Sequence, residues 1–252
     1  MEEIVFHAGG RRLYGAIFPP GEAGGSRRSG ILFAHGLGSD QQGYRIRAQV
    51  AASELDAACL TFDFSGHGQH GLPGDLEVLT PEDHVADLGA AYDELAGLSF
   101  VEPAEIGVCA ASYGAYIATL LTRQKPVARL LLREPGMYAD DDYRKPLALG
   151  RESRADTSAS MLTESLAAFG GEVLILESGA DEIIAPEVIA GYRAACPRAR
   201  HGIIAGAGHR LTNPEWEKQY LRAILDFLGG SQRRDPWHRN WLNTSPLPEV
   251  SS

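Results

Sequence analysis

From Ile31 onward the chain alternates short aliphatic or β-branched runs with longer segments whose apolar residues recur at helical spacing. Strands buried on both faces and joined by covering helices produce that rhythm, so it predicts a mostly parallel sheet in an α/β fold. The candidate strands are Ile31 to Ala34, Ala58 to Phe62, Ile106 to Ala110, Val127 to Leu132, Val173 to Leu176 and Gly202 to Ile204. Ahead of them, Glu3 to His7 and Leu13 to Phe18 flank Gly9-Gly10, which predicts an antiparallel hairpin at a sheet edge and brings the strands to eight.

Helix starts are marked by caps. Thr80-Pro81-Glu82-Asp83 and Asn213-Pro214-Glu215 each supply an N-cap side chain, proline at the first helical position and acids in the first turn. They predict helices running to about Ala96 and to about Leu228, before Gly229-Gly230. Further helices are expected over Gln42 to Leu55, Tyr113 to Arg123 and Pro186 to Ala195. After the sixth strand the period breaks at Asp140-Asp141-Asp142 and resumes weakly over Ser158 to Phe169, which predicts a short lid at about 137–170. Residues 231–252 hold three prolines and no period, so one domain over 1–230 followed by a tail is expected.

Charge narrows the partners. The 252 residues carry 23 Lys+Arg against 33 Asp+Glu, a net charge of −10, with no basic stripe. Phosphate backbones and anionic lipid would be repelled, so neither nucleic acid nor a membrane is an expected partner. Cys59, Cys109 and Cys196 are odd in number and form no CxxC pair, which predicts buried reduced thiols. With two acids at the N-terminus where a secretory signal would carry bases, a cytoplasmic location is expected. The sequence leaves monomer and homodimer open.

The stretch that carries chemistry is Ile106 to Tyr116, an apolar strand running into Ser112 and then a helix. A sharp strand-to-helix turn displays one hydroxyl only if the residues two before and two after it are small. Ala110 and Gly114 meet that need, although the usual residue at the first position is glycine. Serine becomes a nucleophile when a base takes its proton and an acid orients the base. Asp181 and His209 each lie just past a candidate strand, so all three sit at the C-terminal ends of strands, where open α/β sheets build their sites. Glu134, past the preceding strand, is the alternative acid. The Tyr113 N–H, at the helix start, and the Leu37 N–H, in the turn His35-Gly36-Leu37-Gly38, are the candidate oxyanion donors.

Two patterns are set aside. Gly66-His67-Gly68-Gln69-His70-Gly71 matches GxGxxG, but Leu72-Pro73-Gly74 follows where a dinucleotide fold would open a helix. Asp63, His67 and His70 lack the second cluster a metal site needs, and Asp63 reads as a turn brace. No cofactor and no metal is therefore expected, and His35 and His67 read as structural. Tyr44, Tyr113, Met137, Tyr138, Met161 and Leu162 are candidates to line a substrate pocket or to fill core.

Taken together, the chain resembles the α/β-hydrolase superfamily from about Leu13 to Leu228. The resemblance rests on His35-Gly36-Leu37-Gly38, Asp63-Phe64-Ser65-Gly66-His67-Gly68, Ala110-Ala111-Ser112-Tyr113-Gly114, Gly179-Ala180-Asp181 through Pro186, and Gly206-Ala207-Gly208-His209 in that order. It implies the α/β-hydrolase fold, with an eight-stranded sheet and a lid, and the roles nucleophile, acid and base for Ser112, Asp181 and His209. The expected activity is that of a cofactor-independent serine hydrolase opening a carboxylic ester of a small or medium soluble acyl substrate. Thioesterase, acyltransferase, a peptidase of the prolyl-oligopeptidase type, or a silent binding fold remain alternatives.

Overall fold

The computed structural model describes residues 1–21, 26–72, 74–147 and 160–229. Eight strands form one sheet: β1 (Glu2–Ala8), β2 (Arg11–Phe18), β3 (Arg28–Ala34), β4 (Ala58–Phe62), β5 (Val101–Ala111), β6 (Arg129–Arg133), β7 (Glu172–Ser178) and β8 (Arg200–Ile204). Their spatial order is β1-β2-β4-β3-β5-β6-β7-β8, with β2 antiparallel to β1 and β4 and every pair from β4 to β8 parallel.

Strand parity divides the interior into two cores. Leu32, Ala34, Val108, Ala110, Leu130, Leu132 and Ile175 face α2 (Pro81–Gly97), α3 (Tyr113–Leu121), α4 (Ser160–Ala168) and α5 (Pro186–Ala195). Ile31, Phe33, Cys109, Ala111, Leu131, Leu174 and Leu176 face α1 (Gln42–Leu55) and α6 (Pro214–Leu228). Both caps form. Thr80 and Asp83 make a reciprocal capping box on α2, and the Asn213 side chain accepts the Glu215 N–H at 2.9 Å on α6.

β5 starts earlier than its apolar run suggests. Arg28 pairs with Val101 and Gly30 with Ile106, so residues 102–105 bulge out of the ladder. Pro103 has no N–H to contribute to a ladder, and the bulge is where a strand tolerates it. β6 begins at Arg129 instead of Val127: the Val127 N–H turns back to the Lys125 carbonyl, and only from Ala128, whose N–H reaches the Ile106 carbonyl of β5, does the chain bond across the sheet. The three cysteines are buried free thiols. Part of the expected lid, residues 148–159, and the tail from 230 lie outside the described residues.

The chain leaves β3 toward β4 on one side, while β5 returns on the other, which opens a crevice beyond the strand ends. Ser112 follows β5 at that crevice.

Candidate active site

Ser112 carries the backbone strain that a tight strand-to-helix turn demands: φ is 53° and ψ is −124°. Few non-glycine residues adopt a positive φ, and those that do are held there by surrounding contacts. Here the Ser112 N–H donates to the Arg133 carbonyl at 2.9 Å, and the Ser112 carbonyl accepts the Gly136 N–H at 3.1 Å. Gly114 is required on the far side of the turn. A Cβ there would lie 2.3 Å from the His35 carbonyl oxygen and 2.8 Å from that of Ala34, so the first turn of α3 rests on the backbone leaving β3. At Gly36 a Cβ would meet the Ser112 Cβ at 3.2 Å. Ala110 fits fully buried in the α2/α3 core, so the methyl that departs from the glycine pattern has room.

His209 follows β8 and turns its ring toward Ser112. The Ser112 hydroxyl lies 3.1 Å from His209 Nε2, and His209 Nδ1 lies 2.7 Å from Asp181 Oδ2. A carboxylate beside Nδ1 places the proton on that nitrogen, which leaves the Nε2 lone pair facing the hydroxyl. The other Asp181 oxygen accepts the N–H groups of Ile183 and Ile184 at 2.7 and 2.8 Å. Burial works to raise the Asp181 pKa, but the bonds from His209, Ile184 and Ile183 outweigh it and hold the carboxyl below its ordinary value.

Glu134 occupies a different place. It follows β6 with φ at 45°, is fully buried, and accepts the Ser178 N–H through Oε1, while Oε2 meets no protein partner. Burial first, and the neighbouring Asp181 charge second, raise its pKa to about 8. Asp181 is the carboxylate in contact with the imidazole.

The comparisons with known proteins bear on the family and the fold. A model described as alpha/beta hydrolase family matches residues 31–132. An uncharacterized protein of Mycobacterium tuberculosis is 31% identical over 229 residues, spanning 89% of this chain and 78% of that protein. The chain belongs to the alpha/beta hydrolase family. Among solved structures, the monoacylglycerol lipase of Paleococcus ferrophilus superposes with a TM-score of 0.67 at 17% identity, over 86% of this chain and 98% of that one. A Butyrivibrio proteoclasticus protein bound to ferulic acid gives 0.69 at 16% identity, over 88% and 97%. The acylaminoacyl peptidase of Pyrococcus horikoshii gives 0.71 at 16% identity over 89% of this chain. The present chain spans 40% of that peptidase's length, and 35% of the length of a dipeptidyl aminopeptidase from Bacteroides ovatus. At these identities the likeness is one of fold.

Around the serine of this alpha/beta hydrolase, Leu37 is partly exposed on the loop after β3, and Tyr113 is the first residue of α3, where helix geometry directs N–H groups outward. Met137, Tyr138 and Leu162 are buried on the α2/α3 side, with Met161 packed against them half-exposed. The Tyr138 ring stands edge-on to Tyr113 and Tyr116 at 5.7 and 4.9 Å. Tyr44 does not join this group. It is buried in the other core, against Phe33 and beneath the Arg47 guanidinium, because α1 packs on the opposite face of the sheet.

The histidines near the loop after β3 are braces. His35 accepts the Phe64 N–H at 3.1 Å and its other nitrogen lies 2.8 Å from the Gly36 carbonyl, while burial lowers its pKa to about 3. His84, to which the sequence pattern assigned nothing, is fully buried between Ser65 and the Tyr113 hydroxyl, each at 3.0 Å. Its position one turn before Leu88 on the buried face of α2 was the available signal. Asp63 accepts both the backbone and the side-chain N–H of Gln41, at 2.8 and 2.9 Å, which makes it a brace between two loops. The GxGxxG segment forms a 3-10 turn at Gly68–His70, and α2 waits until Pro81. Among the described residues, no three His, Cys, Asp or Glu side chains gather as a metal would need, and no helix is long and apolar enough to cross a membrane.

Proposed function

We propose that the protein is a serine hydrolase that opens a carboxylic ester through an acyl-enzyme. The observation that carries this reading is the continuous hydrogen-bonded line from Asp181 through His209 to a serine held at positive φ. His209 Nε2 takes the Ser112 proton as Oγ attacks the acyl carbon. The tetrahedral oxyanion rests against the N–H groups of Leu37 and Tyr113, an interaction whose loss typically lowers rates on the order of a hundred- to a thousandfold. Collapse breaks the ester C–O bond, and the alcohol leaves with the proton from His209. Water then repeats the sequence, with His209 as its base, and releases the acid. Asp181, held ionised, keeps the Nδ1 proton in place and stabilises the imidazolium that forms.

Substrates are small or medium and soluble. The stretch after β6 is polar, with Asp142 paired to Lys145 and Arg144 to Glu82, unlike the apolar flap of an interfacial lipase. Buried Met137, Tyr138 and Leu162 already fill the space behind α3.

Intact-mass spectrometry after incubation with a fluorophosphonate tests the reading. One adduct on the wild type and none on Ser112→Ala is expected, followed by faster turnover of a short soluble ester than of emulsified long-chain triglyceride. Full esterase turnover by Ser112→Ala would overturn it.

A further inference from the structure

We propose that Arg133 is a positioning residue that holds the His209 loop at bonding distance from Ser112; this rests on the serine-hydrolase reading above. Arg133 ends β6, and its side chain shares the parity of Leu131, so it enters the core between the sheet and α6. It is 8% exposed. A buried guanidinium persists only where hydrogen bonds and counter-dipoles replace its water. Those partners are unusually informative here.

Nη2 donates to the His209 backbone carbonyl at 2.9 Å and Nη1 to Ser178 Oγ at 3.2 Å, while Nε is buried without a protein partner. The same residue's carbonyl accepts the Ser112 N–H at 2.9 Å. Arg133 thus grips the backbone of the nucleophile with its main chain and the backbone of the base with its side chain. Ser112 and His209 arrive from β5 and β8, which are separated in the sheet by β6 and β7. Asp181 restrains the imidazole from the Nδ1 side, and Arg133 restrains the main chain from which that ring projects.

The arginine is itself held. Its guanidinium lies 5.5 Å from the Tyr220 ring centroid, and Tyr220 also carries Arg47 at 5.1 Å, which is paired with Glu217. The Tyr220 hydroxyl contacts Cys109 Sγ at 3.2 Å, three residues before the serine on β5. Stacking fixes the plane of the fork, and the fork fixes the loop. Lysine would keep the charge but offers no planar fork to serve two acceptors.

The test uses Arg133→Lys and Arg133→Ala in the full chain. Four quantities are read: the rate of fluorophosphonate labelling, kcat and KM for p-nitrophenyl acetate, and deuterium uptake by a peptide spanning residues 205–213, with Tm measured alongside. Labelling and kcat are expected to fall on the order of a hundredfold, as displacements near 1 Å at a reacting centre do. KM should stay near the wild-type value, uptake should rise in the 205–213 segment alone, and added guanidinium ion should restore part of the Arg133→Ala rate. The lysine variant, expected to fold even where the alanine variant does not, should show an intermediate rate. Wild-type labelling and uptake in either folded variant would overturn the proposal. So would a rate loss matched by increased uptake across the whole chain, which marks general destabilisation. A wild type that never labels, with uptake still rising selectively in 205–213, would remove the serine-hydrolase reading and keep the anchoring role.

Discussion

Replacing Glu134 by Gln should make the protein's stability less sensitive to pH, in a direction opposite to that of an ordinary paired carboxylate. Glu134 is fully buried, one of its oxygens meets no protein partner, and the Asp181 charge is close enough to repel its ionised form. Burial and that repulsion move its pKa from 4.5 to about 8 in the fold. Between those values the folded chain keeps a proton that the unfolded chain releases. Stability therefore falls as pH rises through that window and levels off above the folded value. Between pH 5 and pH 7 the unfolded carboxyl ionises almost fully while the folded one stays protonated, a loss of about 2.5 kcal/mol. Glutamine matches the shape and cannot ionise, so Glu134→Gln should gain that amount over the wild type across the same interval. Urea denaturation of both proteins at pH 5, 6 and 7 measures it, and subtraction removes the groups they share. For a domain of this size the midpoint difference should widen by roughly 1 M urea. A difference that stays constant over the three pH values would refute the reasoning, because it would mean that Glu134 ionises in the fold as readily as in the unfolded chain.

Asp181→Asn should leave the fold intact and lower kcat by roughly ten-thousandfold, since the amide neither fixes the Nδ1 proton nor stabilises the imidazolium; ester hydrolysis with circular dichroism as control checks it, and a loss below tenfold would be inconsistent with the observed 2.7 Å contact. Gly114→Ala brings a methyl to within 2.3 Å of the His35 carbonyl oxygen. The strain should cost about 1–3 kcal/mol, and Tm should fall by roughly 5 °C, measured by calorimetry, together with slower fluorophosphonate labelling.

Local chemistry wrote much of this protein. Alternating aliphatic runs set the strands and their parity, because a residue's face on a strand follows from counting by two. Thr80 and Asn213 set helix starts, because a cap acts within three residues of itself. Ser112 stood out because a crowded turn admits only small flanks. What distance alone decides was not written there. Asp181 and Glu134 both follow parallel strands, and only the assembled sheet brings one to 2.7 Å from His209 and leaves the other pressed behind it in the interior. Tyr44 shows helical spacing with Ala48, Ala51 and Ala52, which says that its face is buried but not on which side of the sheet. Arg133 lay just past the strand expected from the sequence, and its partner lies 76 residues away, past the same end of the parallel strand β8. Spacing along a chain specifies neighbours within a turn or a strand. Contacts between elements depend on how the layers close, and that closure is a property of the whole core.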